Sequence, residues 1–209
     1  KYKLRSDIKI EDLSSEFVIG VVNPEKFMEL QKEVKSGLNT IHYRDTPIFS
    51  DPRNKKLGAR IFSNLEKLYL TIKKLNLKIV DVSEYYSLAH KLGVPEKGLI
   101  NLKDQLFGLE ANFEKLQAID FKKGCFIGQE NTARMKLKNK LRRRLLPISS
   151  NEKLNIGDEV IYNDIKIGKI LIDKPYPFGL IKIIEPDLEE FKNKTLLANN
   201  KECKILQSA

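Results

Sequence analysis

The spacing of apolar positions divides the chain into an amino-terminal region of alternating strands and helices and a later region of short strands. YKLRSDIKI (residues 2–10) alternates apolar and polar residues, and EFVIGVV (16–22) is a short apolar run, so both predict strands. NPEKFMELQKEV then predicts a helix. Asn23 suits its N-cap, Pro24 its first position and Glu25 its first turn, with Gly37 as the expected stop. NTIHYR and ARIFS read as strands, and DTPIFSDPRNKKLG between them reads as a turn-rich loop. In SNLEKLYLTIKKLN, the apolar residues Leu65, Leu68, Tyr69, Ile72 and Leu75 recur at helical spacing. The order strand, strand, helix, strand, strand, helix predicts an α+β fold, an antiparallel sheet with its helices on one face.

Residues 81–135 read as helix and loop, with DVSEYYSLAHKLGV opening on an Asp or Ser cap and closing at Gly93, Pro95 lying beyond. The period changes after residue 141. GDEVIYNDIKIGKILID predicts a hairpin about Asn163-Asp164, and FGLIKII, KTLLA and CKILQ follow as short strands. Short strands split by Gly, Pro and Asn predict a small β-barrel. The expected organisation is an α+β domain over residues 1–140, with mixed or antiparallel sheets and helices, and a C-terminal β-barrel domain over 141–209.

Composition narrows the class. The 209 residues are long enough for one large or two small domains, and 41% hydrophobic with 32% charged residues is ordinary for a soluble globular protein. No apolar run approaches the roughly 20 residues that cross a bilayer, so no membrane partner is expected. Two cysteines, Cys125 and Cys203, make no disulfide framework, and with two histidines far apart they offer too few zinc ligands. A reducing, cytoplasmic setting is expected. The first residue is Lys1 rather than Met, which points to a longer gene product.

The net charge of +10 has a local focus. No acidic residue lies between Glu130 and Glu152, whereas Arg134, Lys136, Lys138, Lys140, Arg142, Arg143 and Arg144 all do. Such a run can bind phosphates or another polyanion, or it can be a solvated face. No RNA-binding module motif or pair of stacking aromatics accompanies it, which disfavours nucleic acid.

The candidate chemistry centres on KGCFIGQE (123–130). Gly124 and Gly128 predict a tight loop presenting Cys125, since glycine serves positive φ and close backbone approach. If a helix starts near Gln129, its N-terminal dipole and the neighbouring Lys122 and Lys123 both favour the thiolate, the reactive form. A buried structural thiol is the alternative. Cys203 sits in a strand pattern and reads as a core residue.

FKKGCFIGQENTARM resembles the K-G-C-[YF]-x-G-Q-E motif of the YgfZ family, folate-binding proteins related to the aminomethyltransferase of the glycine cleavage system. Lys123, Gly124, Cys125, Gly128, Gln129 and Glu130 match it, and Arg134 stands where the family often has an arginine. Asp51-Pro52-Arg53 with Leu57-Gly58 and Arg60 is similar to the family's D-P-R…L-G-x-R segment. YKLRSDIKI looks like the family's Y-K-L-R strand, and GLEANFEKLQAIDF looks like the stretch before the cysteine motif. Phe126 replaces the commoner tyrosine, and Gly108 stands where proline is expected. Family members carry further chain before YKLRS, so the resemblance implies that the folate-binding region here lacks its N-terminal part.

The resemblance implies a tetrahydrofolate-binding accessory protein that assembles or maintains iron–sulfur clusters in other enzymes, with iron–sulfur enzymes or cluster-assembly proteins as partners. Cys125 becomes the key residue. A cluster held by this chain alone normally takes four thiolates, and only two cysteines are present. Lys123, Gly124, Gly128, Gln129, Glu130, Arg134, Arg53 and Arg60 are the expected folate-binding residues. Gln129 and Glu130 can meet a pterin edge or cap a helix. Arg134 can meet folate's glutamate carboxylate or pair with Glu130 one turn away. Arg53 and Arg60 can contact ligand or hold their loop, and for Asp51 the loop role leads. His42 and His90 receive no catalytic role. Two other functions compete: folate-dependent aminomethyl transfer, whose enzyme lacks the K-G-C-x-x-G-Q-E motif, and RNA binding through residues 134–144.

Overall fold

The computed structural model describes residues 7–35, 37–124, 128–138 and 141–206. The chain divides into two compact units, one of residues 1–51 with 55–79 and the other of residues 52–54 with 80–209.

In the first unit, strands β1 (Val18–Val22), β2 (Thr40–Tyr43), β3 (Thr46–Ser50) and β4 (Ala59–Ser63) form a sheet in the order β1-β4-β3-β2, every pair antiparallel. Helices α1 (Pro24–Glu33) and α2 (Leu65–Lys74) begin at Asn23 and Asn64, whose side chains accept from the amides of Lys26 and Lys67. These bonds satisfy helix donors that would otherwise lack partners. Alternation along the strands sends Ile41, Tyr43, Ile48, Ala59 and Ile61 to one face, where Phe27 and Leu30 of α1 and Leu68 of α2 cover them. The expected α+β arrangement, with helices on one side of an antiparallel sheet, is what the chain adopts.

Three local expectations change. Residues 7–10 are not a strand, so the element order is strand, helix, three strands, helix; residues 2–6 lie outside the described residues. Helix α1 ends at Glu33, with Val34 as its C-cap and Lys35 at φ 50°, well before Gly37. The turn-rich loop contains β3. Arg44 and Asp45, both at positive φ, make a two-residue hairpin turn that sets Tyr43 opposite Thr46. Pro47 hid this strand, because proline withdraws an N–H from a ladder. Pairing of β3 with β4 starts only at Ile48, so Pro47 lies outside that ladder.

The second unit is built on a closed barrel of six strands: β5 (Arg143–Ser150), β6 (Glu159–Tyr162), β7 (Ile165–Ile172), β8 (Phe178–Lys182), β9 (Leu196–Ala198) and β10 (Lys201–Ile205). The order is β10-β5-β8-β7-β6-β9. Asn163 and Asp164, both at positive φ, turn the expected hairpin. Ile148, Val160, Ile167, Ile170, Ile181, Phe191 and Cys203 share one buried cluster with the other inward-facing residues. β5 starts inside the basic run, which is why charge masked it in the sequence.

Helices α3 (Val82–Lys91) and α4 (Glu130–Leu137) precede the barrel, and a short α5 (Leu188–Phe191) lies between β8 and β9. Leu102 and Leu106 pack on a second apolar cluster of barrel residues, Leu145, Leu171, Ile172, Phe178 and Leu180. Asp81 caps α3 through the amide of Ser83. No described helix is long and apolar enough to cross a membrane.

Candidate functional site

Arg53 of the D-P-R segment is held by side chains of the second unit. Its Nη1 lies 2.7 Å from Glu96 Oε1, and its Nη2 donates to the Tyr85 hydroxyl at 3.2 Å. The Tyr85 hydroxyl donates in turn to Glu96 Oε1 at 3.0 Å. Guanidinium, phenol and carboxylate thus close a three-membered network that fixes the direction of the arginine.

The network continues into His90, which is fully buried. Its Nε2 accepts from the amides of Glu96 and Lys97, each at 3.1 Å, so the proton sits on Nδ1 and is donated to the Tyr176 carbonyl at 2.9 Å. The ring meets Phe178 of β8 edge-on. Burial holds this imidazole below its ordinary value, opposed by the Tyr176 bond and by Glu96. His90 is therefore a pin between α3 and the barrel.

Arg53 and Asn54 line a cavity of about 220 Å³ together with Leu92, Gly93, Asn112, Lys115, Leu116, Leu146 and Pro147. Asn112 is oriented by donating its Nδ2 hydrogen to the Leu145 carbonyl at 2.7 Å. Asn112 and Lys115 also line a smaller hollow of about 80 Å³, completed by Leu109, Glu114, Met135, Lys136, Leu141 and Arg144. Lys115 thus stands on the wall of both. Lys115 is exposed as a residue, and its ammonium is held below the usual lysine range by the partial burial of its tip first and by the like charge of Arg144 second.

Glu110 anchors the 107–112 segment, which carries Asn112 and leads into Lys115. Its buried carboxylate takes Arg143 Nε at 2.9 Å, Arg143 Nη2 at 3.1 Å and the Phe107 amide at 3.0 Å. Its own carbonyl accepts from the Leu145 amide of β5 at 2.8 Å.

Among the expected site residues, Cys125 lies outside the described residues, with Phe126 and Ile127. Lys123 and Gly124 are exposed. Gly128 has φ 92°, a region costly for residues with a side chain, whereas Gly124 does not take a positive φ. Gln129 is the N-cap of α4 and Glu130 its first residue, and Gln129 makes no side-chain cap bond. Glu130 and Arg134 are not buried and, among the described residues, no ion pair joins them. None of Gln129, Glu130 and Arg134 lines either cavity; α4 contributes Met135 and Lys136 instead. Arg53 does line one. Arg60, on β4, donates from Nε to the buried Asp51 carboxylate at 3.3 Å, and the Asp51 amide donates to the Gly58 carbonyl. The segment's Asp51, Gly58 and Arg60 thus hold the β3–β4 connection.

Sequence reasoning passed over Asn112, Lys115, Tyr85 and Glu96. Asn112 and Lys115 stand in ANFEKL, inside the stretch that looks like the lead-in to the cysteine motif, and that context was their one available signal.

No protein-family model matches the chain. In sequence it is 26% identical over 178 residues to the iron–sulfur cluster assembly factor IBA57 homolog, mitochondrial, of Dictyostelium discoideum, covering 81% of this chain and 42% of that protein. It is 27% identical over 203 residues to the homolog of the same name from Neurospora crassa, covering 90% and 42%. The human iron–sulfur cluster assembly factor IBA57, mitochondrial, is 29% identical over 150 residues, or 70% and 39%. The chain spans less than half the length of these curated relatives. Among solved structures, the glycine cleavage system aminomethyltransferase T of Bartonella henselae aligns with 85% of this chain and 55% of its own, at 12% identity and a TM-score of 0.40.

Proposed function

We propose that this chain acts in assembly or maintenance of iron–sulfur clusters in other enzymes, as a tetrahydrofolate-binding accessory protein that depends on Cys125. The observation that carries the reading is its similarity, over most of its length, to proteins named as iron–sulfur cluster assembly factors. The K-G-C-x-x-G-Q-E sequence supports a role for the thiol. With two cysteines in the chain, the cluster is cargo rather than a resident group. Cys125 serves as one ligand or sulfur contact, and the partner supplies the others. Such a thiol needs a reducing compartment, which the cytosol and the mitochondrial matrix both provide.

The residues around the larger cavity fit part of a reduced folate. Ligand sites that enclose a drug-sized molecule span about 300–1,000 Å³, and at about 220 Å³ this cavity takes one end of a ligand. Arg53 and Lys115 suit a carboxylate there, and the Asn112 side-chain carbonyl suits an N–H edge. When bound, tetrahydrofolate supplies a one-carbon carrier; the residues here bind and orient it.

Calorimetric titration of tetrahydrofolate, with folic acid as comparison, tests the folate limb. Saturable binding that favours the reduced form supports it. No binding to the native gene product contradicts it.

A further inference from the structure

The smaller hollow carries a charge imbalance that the chain itself does not resolve. Lys115, Lys136 and Arg144 line it, and Glu114 is its one carboxylate. Glu114 is committed, with Oε1 2.5 Å from Lys136 Nζ. Next along β5, Arg143 has Glu110. Lys115 and Arg144 have no equivalent: among the described residues, no ion pair or side-chain hydrogen bond engages either one. The remaining residues (1–6, 36, 125–127, 139–140 and 207–209) include no Asp or Glu. Among the described residues, then, no carboxylate forms an ion pair with either member of this pair.

Arg144 is half-buried, so its charge has lost part of its hydration without gaining a counter-charge. An arginine cannot shed that charge by losing a proton, and the neighbouring lysine ammonium is held below its usual range by burial first and by Arg144 second. Two like charges facing one hollow repel, and an anion between them converts the repulsion into two attractions. Leu109, Met135 and Leu141 complete the wall.

We infer that Lys115 and Arg144 form a binding site for a single oxyanion group, a carboxylate or a phosphate. At about 80 Å³ the hollow is well below the roughly 300–1,000 Å³ of sites that enclose a drug-sized ligand, and it suits a small anionic group. No aromatic residue lines it, so it offers no platform for stacking single-stranded nucleic acid. Arg144 supplies a planar fork for two oxygens and Lys115 a mobile point charge. Lys115 is shared with the larger cavity, whereas Arg144 lines only this hollow, so Arg144→Gln separates the anion site from the folate reading.

Thermal unfolding of the chain at fixed ionic strength tests it, with inorganic phosphate replacing chloride in one arm and glutarate in the other. A ligand that binds only the folded state raises the midpoint in a saturable way. Wild type is expected to show that rise, and the anion with the lower half-saturation identifies the group the site takes. Lys115→Gln and Arg144→Gln are each expected to weaken the response about tenfold, the loss of a charge-assisted contact. In chloride alone, Lys115→Gln is expected to raise the midpoint by removing the repulsion, where a merely structural lysine would lower it. Lys182→Gln, which alters a β8 cation outside the hollow, should leave the response unchanged. Lys115→Gln carries the test alone if Arg144→Gln does not fold. No saturable rise in either arm, or an undiminished rise in Lys115→Gln, overturns the site.

Discussion

Arg143 and Glu110 meet through two parallel N–H···O bonds, Nε to Oε1 at 2.9 Å and Nη2 to Oε2 at 3.1 Å, and the two ends of this pair are unequally buried. The Glu110 side chain is 5% exposed and that of Arg143 41%. The inequality gives the two single substitutions different costs. Arg143→Ala strands a buried carboxylate, at about 3 kcal/mol, whereas Glu110→Gln leaves an arginine that reaches water, at about 1 kcal/mol. Urea unfolding midpoints measure both. Equal costs would contradict this reading of the pair.

His90 gives unfolding a defined pH dependence. Its folded pKa lies below the unfolded value of about 6.5. Above that value the imidazole is neutral in both states and its contribution is fully present. As pH falls below 6.5, the unfolded chain takes up a proton that the folded chain refuses, and stability declines by at most about 1.4 kcal/mol per pH unit until the folded pKa is reached. His90→Gln should flatten the curve in that window, because glutamine offers a donor and an acceptor without titrating there. His42→Gln, at an exposed site on β2, is the control. An unchanged slope in His90→Gln would rule out this coupling.

The glycines separate into two kinds. Gly58 has φ 83°, and a Cβ there would stand 1.9 Å from the Val22 carbonyl oxygen, so Gly58→Ala meets both backbone strain and a clash. Its cost should exceed about 2 kcal/mol. Gly128→Ala meets strain in open space, at about 1–2 kcal/mol. Gly124→Ala meets neither and should be near neutral for stability. Thermal midpoints in the order Gly124→Ala, Gly128→Ala, Gly58→Ala from highest to lowest check this.

Much of the fold was legible because it rests on local rules. Asn23, Asn64 and Asp81 are good caps in any context, and Asn163-Asp164 makes a hairpin wherever two strands flank it. β3 escaped because Pro47 breaks the local rule while register excuses it. The site was less legible. Arg53 is oriented by Tyr85 and Glu96, which lie 32 and 43 positions onward in the chain, and Lys115 owes part of its shift to Arg144 on a barrel strand. No sequence window holds such pairings. The motif residues Gln129, Glu130 and Arg134 were found by resemblance, and their geometry alone marks none of them out.

The two thiols should react very differently. Cys203 lies in the barrel core, 2% exposed, and burial raises its thiol to about 11. At pH 8 it is overwhelmingly protonated and shielded. Iodoacetamide should therefore label the native chain at Cys125 alone, with Cys203→Ser leaving the rate unchanged and Cys125→Ala abolishing labelling. Mass spectrometry of the labelled peptides decides. Labelling at Cys203 before unfolding would contradict the core assignment.

The central claim is that Cys125 serves iron–sulfur clusters in other enzymes. Its most direct test is the activity of a cluster-dependent dehydratase in cells lacking the endogenous protein, complemented with wild type, Cys125→Ala or Cys203→Ala at matched protein levels. Wild type and Cys203→Ala are expected to restore the activity, with Cys125→Ala remaining at the level of the uncomplemented cells. Full restoration by Cys125→Ala would contradict the account.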